Sequence, residues 1–337
     1  GIKDLTSLPK LSSEFGQVWR EYDIRAYTYR IQTTRRPETA VVEWILRETG
    51  YDIWHGEVPA VLSANRERVI VFHTPEVQEI VSAVIQRFTA SEGELVPLQV
   101  RLMVLSHPGW QANWVSALTP VRVQSPGIRA WVVYREDASL LVADLRRRPD
   151  YREHHLPQVL VPNGQSSVLA GIKARPYVRS LNWRPEVWPG FTPETAFLDE
   201  GFTLEVSPLW SVDRRQLDLM VKLSIEQVER LVPLTLELPA SAGQPSRPRL
   251  EIPQRVQISL QERFRWPVEQ ALLIDLGMVP VPIPVDGGLL SGWRWPLAPS
   301  APRGNVLLLV EQKAAAPPTS AASAASGRPA GSPQRAY

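Results

Sequence analysis

No cysteine occurs among the 337 residues, which rules out a disulfide framework and thiolate metal sites. Nor does any apolar run approach the ~20 residues that a membrane-spanning helix needs, so membrane contact would have to be made by β-strands or through a partner. The chain begins at Gly1, with neither a methionine nor a signal-like apolar stretch, and the expectation is a mature or trimmed product. An excess of one charge is missing too. The 37 Lys and Arg against 35 Asp and Glu leave a net charge of +2, spread along the chain, which removes the electrostatic case for nucleic acid.

Catalytic motifs are absent as well. There is no Gly-rich phosphate loop, no nucleophile elbow and no His-Glu-x-x-His. Glu153-His154-His155 comes nearest to a metal-ligand group, but adjacent side chains on a strand point to opposite faces and spacing supplies no third ligand. His55 and His73 have no partner at ligand spacing, and the pair Asp199-Glu200 reads as solvated turn residues. The expectation is no catalytic residue, no metal and no cofactor. In excess are proline and tryptophan, 32 and 12 residues, within a hydrophobic content of 44%. That balance suits a loop-rich β protein large enough for one large core or two modest ones.

Four stretches follow one another. Residues 1–21 lack a strong period and read as an N-terminal arm. Residues 22–92 predict strand, helix, strand, strand, helix. The first strand is expected in YDIRAYTYRI from Tyr22. A helix opens at Pro37, carries Val41, Trp44 and Ile45 on one face and stops at Gly50. Two short extended runs, EVPAVLS and RERVIVFH, come next. Thr74-Pro75 then caps a second helix whose apolar positions Val77, Ile80, Val81, Val84, Ile85 and Phe88 form one stripe.

Residues 93–313 read as mainly β. Val96, Leu98, Val100, Leu102 and Val104 alternate with partly polar neighbours, the pattern of a strand in a covered sheet. Between Ser106 and Asp137, a turn at Ser125-Pro126-Gly127 is flanked by Trp110, Trp114, Val121, Val123, Ile128, Trp131 and Val133. This is an amphipathic hairpin whose arms just reach the ~9–11 residues of a membrane strand, and a soluble hairpin with its tryptophans in a core fits equally. A short helix carries Leu141, Val142 and Leu145. Asn163-Gly164 stands between Val159–Val161 and Val168–Leu169, the signal for a two-residue hairpin turn with positive φ at both positions. Lys173 to Leu198 is broken by Pro and Gly yet too apolar for a casual loop, which leaves a lid across the sheet as one reading. Regular alternation returns at Phe202, Leu204 and Val206, then at Leu217 to Ile225, with further strands expected at Val232 to Leu238 and Arg255 to Trp266 and a Pro/Ser/Gly-rich linker at 239–249. Residues 314–337 are rich in Ala, Pro and Ser and are expected to be a disordered tail.

The order of these pieces resembles the secretin family, the ring-forming outer-membrane channel module of type II and III secretion and type IV pilus systems. The likeness rests on VIVFHTPEV leading into the second helix, as in the small ring-building modules that precede a secretin domain. It rests also on a helix followed by Asn163-Gly164-Gln165, and on Gly201-x-x-Leu204-x-Val206-x-Pro208 followed by a second alternating strand. It covers most of Val96 to Lys313, and the ring-module part extends it back to about Tyr22. Gln270-Ala271 and Asp275 depart from the family, standing where glycines are usual.

The resemblance implies an α+β fold, a small βαββα ring-building module followed by a mainly-β secretin-like domain. It further implies a homo-oligomeric ring in the cell envelope, at the outer membrane or in the periplasm, with secretion or pilus components as partners. Tyr177, Trp183, Trp188 and Phe191 would then lie at a gate or lumen. Ser106 to Asp137 is shorter than its counterpart in full-sized secretins, so a soluble periplasmic ring or scaffold that does not cross the bilayer is the alternative. A β-sandwich enzyme or ligand-binding domain is a third reading, disfavoured by the lack of a convergent polar site.

Overall fold

The structure, a computed structural model, describes residues 13–90, 95–184, 191–236, 248–280 and 303–313. Residues 1–12 of the expected arm, Trp188, most of the 239–249 linker and the expected tail at 314–337 lie outside the described residues.

The N-terminal part comprises β1 (Val18–Asp23), α1 (Arg25–Thr28), α2 (Glu38–Thr49), β2 (Val61–Ala64), β3 (Arg68–His73) and α3 (Pro75–Thr89), with the strands in the antiparallel order β1-β3-β2. The two expected helices, α2 and α3, start where the sequence places them, and α2 also stops there. Pro37 precedes α2, Gly50 ends it at φ 85°, and Val41, Trp44 and Ile45 are buried. Thr74 is extended and Pro75 takes the first helical position of α3. Ile80 departs from the expected stripe: it sits at the stripe's margin and is 38% exposed. The first strand also differs. It begins at Val18 and ends at Asp23, whose carboxylate accepts the Arg25 backbone N–H at 2.9 Å. That local bond opens a helical turn through residues whose aromatic and β-branched character predicts strand, a short-range polar contact overriding propensity.

The remainder consists of β4 (Leu95–Leu105), β5 (Thr119–Val121), β6 (Arg129–Tyr134), α4 (Arg135–Arg146), β7 (Tyr151–His155), β8 (Val159–Pro162), β9 (Ser167–Trp183), β10 (Phe191–Trp210), β11 (Gln216–Thr235), β12 (Arg249–Pro267), β13 (Gln270–Pro280) and β14 (Arg303–Gln312). One sheet runs β5-β6-β13-β14-β4 and continues along the far edge of β4 with β7 and β8; the other runs β12-β11-β10-β9. The chain is thus mainly β with a few helices.

The two sheets bury a common core. Val96, Leu98, Val100, Leu102 and Val104 of β4, with Leu272, Ile274, Val306, Leu308 and Val310, face Leu204, Val206, Leu219, Val221, Leu223, Phe264 and Trp266 of the long sheet. The opposite face of the first sheet, including Met103, Leu105, Leu307 and Leu309, is covered by α4 and Trp110. β4 is therefore apolar on both faces because both are covered, the reason its alternation is incomplete.

Three expectations about the strands are overturned. Asn163-Gly164 is not a two-residue hairpin: β8 pairs with β4 and β9 pairs with β10, so the turn carries the chain from one sheet to the other. Of the pair only Gly164 has positive φ, 79°. The Gln165 N–H donates to the Pro162 carbonyl at 2.9 Å, as in a turn that demands glycine at its third residue. Lys173–Trp183 and Phe191–Leu198 are not broken but lie within β9 and β10. Pro176 is tolerated because β9 is an edge strand, and Pro193 because the ladder between β10 and β11 does not reach it. The run Leu217–Ile225 and the described start of the second run, Val232–Thr235, lie in one strand, β11, with a register shift between Val228 and Arg230.

Phe264 is 1% exposed in the intersheet core. Phe264→Ala should cost about 3–5 kcal/mol, read as a lower urea midpoint with an unchanged m-value.

Candidate functional site

The long sheet has strands of 17, 20, 20 and 19 residues, roughly 55–65 Å when extended. Its two ends differ. Near the core, matched rows such as Gly171, Phe202, Ile225 and Ile258 cross all four strands. A Cβ on Gly171 would lie 2.7 Å from the Phe202 ring, so glycine is what lets that ring lie across β9. The ladder between β10 and β11 ends at Gly201 and Glu226. Gly201 has φ 142°, and a Cβ there would meet the Gly171 carbonyl at 1.9 Å. Beyond this level β10 pairs only with β9, and β11 only with β12. One sheet thus divides into two hairpin arms.

The residues expected at a gate or lumen lie on the first arm. Trp183 and Phe191 are opposite each other at its end, with Trp183 59% exposed. Tyr177 lies further down, opposite Ala196. Trp188 is outside the described residues.

The residues of the 106–137 hairpin take up core positions. β5 and β6 are three and six residues long, shorter than the ~9–11 that cross a bilayer. Trp110 and Val133 are buried under α4, with Trp114 and Trp131 packed beside them, while Val121, Val123 and Ile128 face the intersheet core. The Trp110 indole N–H donates to Asn305 Oδ1 at 2.7 Å, and that of Trp114 to Asp144 at 3.1 Å.

Asp275, 0% exposed, accepts from Arg129 at 2.7 Å, from Gln111 at 3.0 Å and from the Gly277 N–H at 2.9 Å, and from the Asn305 amide as well. It holds a bulge in β13 between Asp275 and Met278. A buried carboxylate thus does structural work where the family pattern has glycine.

Asn163, Gly164, Gln165 and Pro208 join the N-terminal part to the long sheet. The Asn163 amide donates to the Arg87 carbonyl at 3.1 Å and its oxygen accepts the Trp210 N–H at 2.9 Å. The Gly164 N–H donates to the Pro208 carbonyl at 2.6 Å. Its own carbonyl accepts the Trp44 indole N–H at 3.2 Å, and Gln165 donates to the Tyr27 hydroxyl. A Cβ on Gly164 would lie 2.0 Å from the Phe88 ring. Gly201, in contrast, stands apart from this junction, at the level where the sheet divides.

Beside that turn lies an ionic cluster. Asp218, 1% exposed, pairs with Arg87 of α3 and with Arg263 and Arg265 of β12, at 2.5, 3.1 and 2.7 Å. Glu48 of α2 contacts the same two β12 arginines. Arg87 also donates to the Leu209 and Trp210 carbonyls, and Leu209 is buried among the N-terminal helices. Burial pushes the Asp218 carboxyl up. The hydrogen bond from Arg265 and the charges of Arg263 and Arg87 outweigh that, holding it below the ordinary aspartate range. Strand alternation assigns Asp218, Arg263 and Arg265 to the polar face of their strands, and nothing in the pattern shows that a second layer covers that face. Arg87, one position before Phe88 in α3, is the only nearby hint.

Among the described residues no group of three or more His, Cys, Asp or Glu is arranged to hold a metal ion. His73 is buried and bonded locally, to Thr74 and the Ile53 carbonyl, and the His154 ring packs edge-on to Phe202. Among the described residues no helix is long and apolar enough to cross a membrane.

Among solved structures the chain is similar to the type IV competence pilus secretin PilQ of V. cholerae, with 11% identity and a TM-score of 0.27, over 87% of this chain and 76% of that one. It is similar to the Salmonella SPI-1 type III secretion injectisome secretin InvG, with 12% identity and a TM-score of 0.29, over 96% and 88%. A third is the type II secretion system secretin GspD of E. coli K12, with 13% identity and a TM-score of 0.21, over 90% and 64%. All three are secretins, the family the sequence resembles. No family model and no curated protein matches the chain.

Asp218→Asn should destabilise the protein by about 3 kcal/mol, because three arginines lose their buried counter-charge. The stabilisation from the depressed carboxyl is full at neutral pH and is lost as pH falls below about 4 toward the folded value. The gap in urea midpoint between wild type and variant should accordingly narrow from pH 7 to pH 3. Gly164→Ala should loosen the N-terminal part selectively. Amides of α2 and α3 should exchange faster than in wild type, while those of β13 and β14 keep their protection from exchange.

Proposed function

We propose that this chain is a subunit of a secretin-like homo-oligomeric ring that forms or supports a gated passage for protein or pilus transport at the outer membrane. One observation carries the reading: a sheet of four long antiparallel strands whose outer members, β9 and β12, each keep one edge without a strand partner among the described residues. In the order β12-β11-β10-β9 the two edge strands run in opposite directions. β12 of one copy can therefore pair antiparallel with β9 of the next, and the pattern repeats head to tail until the ring closes and no edge is left.

In this reading residues 22–92 form the ring-building module and residues 93–313 the secretin-like domain, joined through Gly164 and Asp218. Trp183 and Phe191, at the end of the first arm, are placed to narrow a lumen, with Tyr177 lower on the same strand. Secretion or pilus components would be the partners.

A second reading, a periplasmic ring or scaffold that does not cross the bilayer, is favoured by the outward face of the long sheet near the core. The rows Val168, Glu205, Lys222, Gln261 and Ala170, Thr203, Ser224, Ser259 are polar across three of four strands, and Lys222 pairs with Glu205 at 3.3 Å. A bilayer-facing band would be apolar there.

Light scattering and negative-stain imaging, with and without detergent, test both. Rings that need detergent support the channel, rings in plain buffer support the scaffold, and a monomer at high concentration overturns both. In a protein that forms rings, Val168→Lys with Ile172→Lys on the exposed face of β9 should shift most of the mass to folded monomer, because lysines on an edge strand oppose strand addition.

A further inference from the structure

The two arms do not separate freely above Gly201. Glu200, at the point of division, accepts from Arg175 of β9 at 2.8 Å and from the Val228 N–H of β11 at 3.2 Å. Arg175 also reaches the Val228 carbonyl, at 3.4 Å. Further out, the Val178 N–H of β9 donates to the carboxylate of Glu251, on β12, at 3.0 Å. β9 and β12 are the outermost strands of the sheet, yet their upper parts are bridged side chain to backbone within one chain.

The Val178 contact has a particular chemistry. The amide belongs to the edge strand and its N–H is directed to Glu251 of β12, so it is one of the groups an incoming strand would take. Glu251 fills that position with an acceptor but offers no donor in return, so it satisfies the edge without extending the sheet. Arg175 and Glu200 are 17% and 14% exposed, so their pairing is partly shielded from water, and the Val228 N–H they hold lies where β11 shifts register against β12.

We propose that Glu251, with the Arg175–Glu200 pair, is a self-capping latch: in the lone subunit it holds the two arms together and occupies the β9 edge, and it opens when a second copy's strand replaces Glu251 at Val178. This rests on the ring reading above. The latch slows assembly of free subunits, so that edge pairing completes where several copies meet and not on first encounter.

The test uses the full chain, wild type against Glu251→Ala, with Arg175→Met as a second variant that keeps the side-chain bulk. Amide hydrogen exchange on the monomer reads the latch, and time-resolved light scattering after dilution from mild denaturant reads assembly. The expected result is at least about tenfold faster exchange at Val178 in Glu251→Ala, with unchanged exchange in β13, and several-fold faster assembly in both variants. Unchanged exchange at Val178 overturns the latch whatever the assembly data show. Faster exchange with an unaltered assembly rate overturns its restraining role. If no form of the chain assembles, the ring reading fails and the restraint with it, while the exchange result still decides the contact.

Discussion

A single buried carboxylate surrounded by arginines from two layers ties the molecule together. Asp218 has no access to water and satisfies its charge only by drawing Arg87 from a helix and Arg263 and Arg265 from a neighbouring strand. Desolvating such a group is costly unless the geometry closes around it, so Asp218 demands that the N-terminal helices sit on the outer face of the long sheet. Trp44 completes the arrangement. Its ring has Arg47, Arg87 and Arg263 within 5.4–5.9 Å, and its indole N–H holds the turn at Gly164. Cation–π contact spreads positive charge that one carboxylate alone would balance poorly.

From that junction the long sheet runs through two environments. At the base it has the β4 sheet on one face and the N-terminal helices on part of the other, and its residues are apolar toward the core. Beyond Gly201 the strands are mostly half-buried or exposed, and cohesion rests largely on polar contacts, between the arms and to β14 through Arg303 and Glu229. Stability along β10 therefore falls from end to end, and the end available for moving or pairing is the one least held by packing.

The sequence discloses some of this and conceals the rest for identifiable reasons. Helices α2 and α3 were legible because Pro37, Gly50 and Thr74-Pro75 act within a few residues of themselves. Alternation in Phe202 to Val206 and Leu217 to Ile225 revealed strands for the same reason. The continuity of β9 and β10 was hidden because Pro176 and Pro193 are read as breakers unless it is known that one lies on an edge and the other beyond the reach of β11. Asn163-Gly164 signalled a turn correctly, but which strands it joins depends on β4, some 60 residues earlier in the chain. The secretin resemblance marked Asn163, Gly164, Gln165, Gly201 and Pro208; four of them lie at one junction and Gly201 lies away from it, where the sheet divides. The arginines around Asp218 escaped notice because a charged residue on the outward side of a strand looks solvated until something is laid over it.

The division of the sheet at Gly201 also sets how the molecule would carry load. Below that level β10 is bonded on both sides, from Gly201 to Val206. A force along the strands there acts in shear, with the whole ladder strained at once. Above it each arm is a hairpin, and a sideways force at the tip peels one pair of hydrogen bonds at a time. The same strand is thus stiff against pulling at its root and compliant against bending at its end. A glycine held at φ 142°, at a spot with no room for a Cβ, marks the boundary between the two regimes.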